Sequence, residues 1–191
     1  MLENPLHKSE ALDWDIISSR LAEQLSHAGD KLDAKSVREL LDPANLAETA
    51  DLASSLKANG CTLWIADYTH DCLVAAWNPK EPYMIGLTQS FSSGVISMVF
   101  ATEQPICENA LPHNPLHSTK INAETGKLTR AILAAPVYFA GKIRGILSAV
   151  RFDETDGDFT YPQLEQISAC AVRLGRLIEH ALLMRLLEWN A

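Results

Sequence analysis

The sequence predicts an α+β fold built on an antiparallel sheet, with a helix before it and a long helix after it. Three observations predict this. Residues 61–78 and 130–152 each hold two strand-like runs joined by a short turn signal, as in β-hairpins. Two shorter apolar runs, residues 84–90 and 104–108, lie between the hairpins. Apolar residues at three- and four-residue spacing mark helices at both ends of this block.

Residues 11–28 read as a helix because Trp14, Ile17, Leu21 and Leu25 fall on one stripe, and Gly29-Asp30 is the expected stop. Residues 36–41 form a short second helical piece, broken by Asp42-Pro43. Pro43 then suits the first turn of a further helix, with Leu46, Ala50, Ala53 and Leu56 on its inner face and Asn59-Gly60 at its end. The first hairpin pairs residues 61–68 with 72–78 across Thr69-His70-Asp71. A Pro-containing loop leads to the third strand, residues 84–90. Ser92-Ser93-Gly94 is expected to cap a helix over residues 95–102, and residues 104–108 form a short strand after it.

Residues 109–127 contain Pro112, Pro115 and Gly126 among polar side chains and read as a long loop with at most one helical turn. A loop of that length inside a compact domain is usually functional. The second hairpin joins residues 130–139 and 142–152 through Ala140-Gly141. Residues 161–188 form a helix of about 40 Å at 1.5 Å per residue. Thr160 is its natural N-cap, and Gln163 stands where a capping box needs it. The apolar face of this helix is wider than one sheet contact requires, so it is expected to meet the sheet near its start and another helix near its end.

Composition excludes several function classes. The chain has 191 residues and a formal charge of -8, with a pI near 5.2. That balance opposes non-specific nucleic-acid binding and attraction to anionic membranes. No apolar run approaches the ~20 residues needed to span a bilayer. The N-terminal residues lack the apolar core of a signal peptide, so a cytoplasmic location is expected. Cys61, Cys72, Cys107 and Cys170 are far apart, without the close pairing of zinc or redox motifs, and are expected to be small buried hydrophobes. No metal site is expected.

Five phrases, in register, resemble the GAF domain family over roughly residues 43–188. Gly60-Cys-Thr-Leu-Trp-Ile-Ala-Asp67 looks like the family's first strand. Ser93-Gly94-Val95-Ile96 through Ala101-Thr102-Glu103-Gln104-Pro105-Ile106 resembles its glycine-to-proline helix segment. Arg130 through Pro136-Val137, and Lys142-Ile-Arg-Gly145-Ile-Leu, resemble its two late strands. Phe159-Thr160 through Leu164 resembles the start of its last helix. The resemblance implies helices on one sheet face and a ligand-sized cavity on the other, roofed by the middle helix and the long loop. It divides the chain into an N-terminal helical extension, 1–41, and the GAF domain, 42–191.

The candidate ligand-binding residues follow from that implied cavity. Ser90, Phe91, Ser92 and Ser93 precede the middle helix, whose N-terminus suits an anion. Arg130 could meet a carboxylate or phosphate, and Trp77, Phe91 and Tyr138 could stack on a planar ligand. Glu108, Asn109, His113 and His117 sit at or in the long loop, although Pro115 disfavours a helical His pair for metal. The cyclic-nucleotide signature N-K-F-D-E is absent, and the long loop has no Cys to attach a bilin. The cofactor is therefore unknown.

The expected function is a non-enzymatic sensor or regulatory module in cytoplasmic signalling. It would bind a small ligand and form a homodimer through its terminal helices. Two alternatives stand: a scaffold whose cavity is filled, and a thiol-based methionine sulfoxide reductase using Cys107. No output-domain pattern follows, so the reading expects either action in trans or membership in a longer chain.

Overall fold

The computed structural model describes residues 13–41, 51–152, 155 and 157–189. Strands β1 (Gly60–Asp67), β2 (Cys72–Trp77), β3 (Thr88–Ser90), β4 (Ile106–Glu108), β5 (Ala131–Phe139) and β6 (Lys142–Arg151) form one antiparallel sheet in the order β3-β2-β1-β6-β5-β4. The helices are α1 (Trp14–Asp30), α2 (Ala34–Leu40), α3 (Val95–Thr102), α4 (Lys120–Thr125) and α5 (Tyr161–Trp189). Residues 51–55 are also helical, with Ala53 and Leu56 fully buried. The expected helix start at Pro43, with Leu46 and Ala50, lies outside the described residues.

Both hairpins form. Ala140 and Gly141 have φ of 51° and 83°, the two positive values that a two-residue turn matching strand twist requires. Strand β1 pairs with β6 from Gly60↔Val150 to Ile65↔Gly145. There the Trp64 carbonyl comes so close to the Gly145 Cα that a Cβ would collide with it. Pro136 is accommodated beyond the reach of β4, which pairs only with Ile132–Ala134 of β5. The missing N–H therefore breaks no bond to that neighbour.

Alternation along the strands divides the sheet into two apolar faces. Leu63, Ile65, Leu133, Val137 and Leu147 join one core with Val37, Leu56, Ile167, Leu174 and Ile178, so α1, α2 and most of α5 cover that face. Trp64, Leu73, Ile132, Ala134 and Ile146 face the other way, toward Val95, Ile96 and Val99 of α3. Fully burying side chains of this size contributes about 1.5–3 kcal/mol each. Helix α5 seats closely because Gly175 lies against the Tyr138 carbonyl. Gln163 Oε1 accepts the Thr160 N–H at 3.0 Å, the expected half of a capping box. Toward its end α5 meets α1 of the same chain, with Leu182 and Leu186 sharing a core with Leu25 and Ala28.

Helix α1 ends at Asp30, within the expected Gly29-Asp30 stop. Gly29 also allows close packing, since a Cβ there would sit 2.7 Å from Ala140 Cβ and 2.8 Å from Arg144 Cζ. Three other local expectations sharpen or change. The third strand shrinks to Thr88–Ser90 because Pro82–Met84 forms a 3-10 turn and Gly86 bends the chain at φ 91°. Neither Ser92 nor Ser93 caps α3; Gly94 is its N-cap, and Gln89 Nε2 donates to the Ser93 carbonyl instead. The long loop holds more helix than expected, a 3-10 turn at Leu111–His113 and the six residues of α4.

Candidate ligand-binding site

A cavity of about 80 Å3 remains on the sheet face that α3 covers. Its floor is Thr62 and Trp64 of β1 with Ile132, Ser148 and Val150 of β5 and β6. Gly94, Val95 and Ile96 close one side, and residues between Leu111 and Thr129 pass over it as a strap. Leu111 anchors the strap in the cavity-side core, and side-chain bonds tie it further. Glu108 accepts from the Ala110 N–H and from Asn114 Nδ2, both at 2.8 Å, which holds its carboxyl below the usual range. Lys120 Nζ donates to Thr88 Oγ1 at 2.9 Å, and Lys127 pairs with Glu81.

Polar groups with defined partners interrupt the apolar lining. Trp64 Nε1 donates to Ser148 Oγ at 2.9 Å, and Asn78 Nδ2 donates to Thr62 Oγ1 at 2.9 Å. Asn78 Oδ1 accepts the backbone N–H of Glu81, fixing that residue in the loop after β2. Glu81 is 7% exposed. Thr129 Oγ1 donates to Asn122 Oδ1 at 3.1 Å, and Asn122 Nδ2 lies 3.1 Å from His117 Nε2. Burial pushes the His117 pKa down, so the imidazole is neutral near pH 7.

The structure does not gather the sequence-selected residues into one site. Only His117 among them lines the cavity. Trp77 lies in the core on the opposite, helix-covered face. Phe91 stacks on Phe100 with ring centroids 4.8 Å apart, beside Tyr68. Ser90 and Ser92 bond to each other through their hydroxyls, and the Ser93 carbonyl is held by Gln89. Glu108 secures the strap, while Asn109 clamps Phe159 by accepting its N–H at 2.8 Å and donating to its carbonyl at 3.0 Å. His113 is exposed. Arg130 bonds Asp158 at 2.8 Å and the Asn109 carbonyl at 3.3 Å. Tyr138 donates to Glu103 at 2.8 Å; partial burial and that carboxylate push its phenol up to about 12.

The residues that do line the cavity escaped the sequence reading for a physical reason. Thr62, Trp64, Gln89, Thr129 and Ser148 are ordinary strand or strand-end residues, and their common direction depends on register. The available signal was a polar residue inside an otherwise apolar strand, at Thr62 and Ser148. All four cysteines are free. None lines the cavity, and Cys107 packs into the helix-side core with its thiol pushed up by burial. Among the described residues no cluster could hold a metal ion, and no helix is long and apolar enough to cross a membrane.

Comparison with known proteins places this geometry. The chain resembles the GAF domain of a phosphoenolpyruvate-protein phosphotransferase from Coxiella burnetii, with 21% identity and a TM-score of 0.63 over 85% of this chain and 93% of that one. It resembles a methyl-accepting chemotaxis protein fragment, with 15% identity and a TM-score of 0.61 over 88% and 98% of the two chains. A type II free methionine-R-sulfoxide reductase from Thermoplasma acidophilum shares 14% identity and a TM-score of 0.57, over 75% and 96%. These likenesses carry the fold alone. Comparison with curated proteins gives no match. The sequence model of the GAF domain matches residues 46–178, so the chain belongs to the GAF domain family, whose members are chiefly sensor and regulatory modules.

Proposed function

We propose that this GAF domain is a non-enzymatic sensor module that binds a small ligand in the cavity beneath the strap and works as a homodimer in cytoplasmic signalling. The cavity itself carries the reading. It lies between the sheet and a segment held by side-chain hydrogen bonds and by Leu111 and Ile121 in the cavity-side core, so an occupant touching those side chains can bias the strap's position. Its lining mixes aromatic and aliphatic walls with a few placed polar groups, the usual makeup of a ligand pocket. The dimer reading rests on the terminal helices. Trp14 and Ile16 of α1 are 69% and 51% exposed, and Met184 and Leu187 of α5 are 44% and 54% exposed.

One observation favours the scaffold alternative. About 80 Å3 is well below the ~300 Å3 at which ligand pockets usually begin. The ligand must then be only a few non-hydrogen atoms, or the strap must lift to admit more. The reductase alternative has less support, because no thiol reaches the cavity among the described residues. A thermal-shift panel of small metabolites tests ligand binding, since a binder raises the melting temperature with concentration. Light scattering at tens of micromolar tests the dimer, and a strictly monomeric mass would remove that part.

A further inference from the structure

Glu81 is the one charged residue among the described residues that line the cavity, and its side chain is only 9% exposed. Its Oε1 accepts from Tyr83 Oη at 3.0 Å and from Lys127 Nζ. Its Oε2 accepts from no described residue and points toward Gly60, where a Cβ would lie 3.4 Å from it. The Lys127 ammonium also sits 5.1 Å from the Phe152 ring and 5.6 Å from the Tyr83 ring. A carboxylate and two aromatic faces around one ammonium make a cation-binding cage.

The two partners are unequally held. Lys127 is 41% exposed, so water can take over its charge at little cost. The Glu81 carboxylate is buried, and losing its cation would leave an uncompensated charge. An outside cation of suitable size can therefore replace Lys127 more easily than the site can stay empty. The N-terminus of α3, which has no side-chain cap bond and favours anions, lies at the other end of the cavity. It adjoins Gln89, which the register places opposite Leu73 and hence near Ala66, whereas Glu81 adjoins Gly60 at the start of β1.

We infer that the Glu81 end of the cavity binds the ammonium group of a small primary amine, and that Lys127 is a built-in competitor the ligand displaces. This rests on the cavity being a ligand site. Displacement releases the tie between the end of the strap and the loop after β2, which couples occupancy to strap position.

The test uses the full chain labelled with 15N and follows the Trp64 indole resonance, because that group lines the cavity. The probes are ethylammonium, propionate and propionamide, all of at most five non-hydrogen atoms and different in charge. Ethylammonium should shift Trp64 saturably and bind tightest of the three. K127M should tighten it at least about tenfold, as expected on removing a self-ligand that occupies roughly nine-tenths of the molecules. E81Q should abolish the preference. Equal or tighter binding of propionate or propionamide overturns the amine assignment but leaves the cavity reading intact. If no probe reaches Trp64, both fall. Should K127M not fold, the ranking of the three probes in the unmodified protein decides the assignment by itself.

Discussion

The Arg144 guanidinium donates to Asp30 Oδ1 at 2.9 Å from a position only 2% exposed. The same group reaches the carbonyls of Ser26 at 2.9 Å and Phe139 at 3.0 Å. It therefore ties the C-terminal end of α1, where the helix dipole favours a cation, to the turn between β5 and β6. Gly29 makes the approach possible, and Lys142 adds a second cation on Asp30. The N-terminal helix is thereby anchored to the same core as the sheet.

Replacing Arg144 by Met should cost about 3 kcal/mol, because the carbonyls of Ser26, Phe139 and Ala140 lose their donor in a buried or half-buried setting, while Asp30 keeps Lys142. Urea denaturation measures it. A loss below about 1 kcal/mol would mean the α1 anchor lies elsewhere.

Gly29→Ala sets two effects against each other. Alanine gains about 1 kcal/mol of helix propensity, but its Cβ would press on Ala140 and Arg144 at under 3 Å. Overpacking of this kind costs about 1–3 kcal/mol, and Ala140 is held in a tight turn that cannot give way. Net destabilisation is expected in thermal melts. Gly175→Ala should be worse, since its Cβ meets the rigid Tyr138 carbonyl.

Acid should weaken the fold in two stages. The unfolded His117 takes up a proton near pH 6.5, while the folded imidazole, depressed by burial, resists it. The unfolded state then binds more protons, so stability falls as pH drops below about 6.5. His117→Gln should flatten that stage. Asp30 is also depressed, by Lys142 and then Arg144, so its contribution is present above pH 3.8 and lost as pH falls below that value. Stability curves of the unmodified protein, H117Q and D30N, taken from pH 3 to 8, separate the stages.

Asn109→Ala should act through stability. It removes both hydrogen bonds to the Phe159 backbone just before α5, a loss of about 1–3 kcal/mol. Ligand affinity at the cavity should stay unchanged once the variant is folded, because Asn109 does not line it. A selective loss of ligand binding would restore Asn109 as a binding residue.

These sites also mark how far the sequence could be read. Both hairpins, the long α5 and the Thr160–Gln163 cap were legible because their signals are local: turn residues, helical spacing and a cap three residues from its partner. Gly29 marked the end of α1 but not its close packing, because a glycine after a helical stripe looks the same whether or not it also admits a neighbour. The difference lies in Ala140 and Arg144, more than a hundred residues away. The cavity was legible only through family resemblance. Its lining comes from both hairpins, the strap and the loop holding Glu81, and those meet only through long-range register. Trp77 shows the same limit, since nothing local tells which sheet face an aromatic strand residue joins.

The most direct measurement of the central claim uses two tryptophans on opposite faces. Trp64 lines the cavity and Trp77 lies in the helix-covered core, so their indole resonances report the two faces separately. A filtered small-molecule cell extract added to the 15N-labelled chain should shift Trp64 and leave Trp77 in place. An unmoved Trp64, or equal movement of both, would contradict a ligand-binding cavity under the strap.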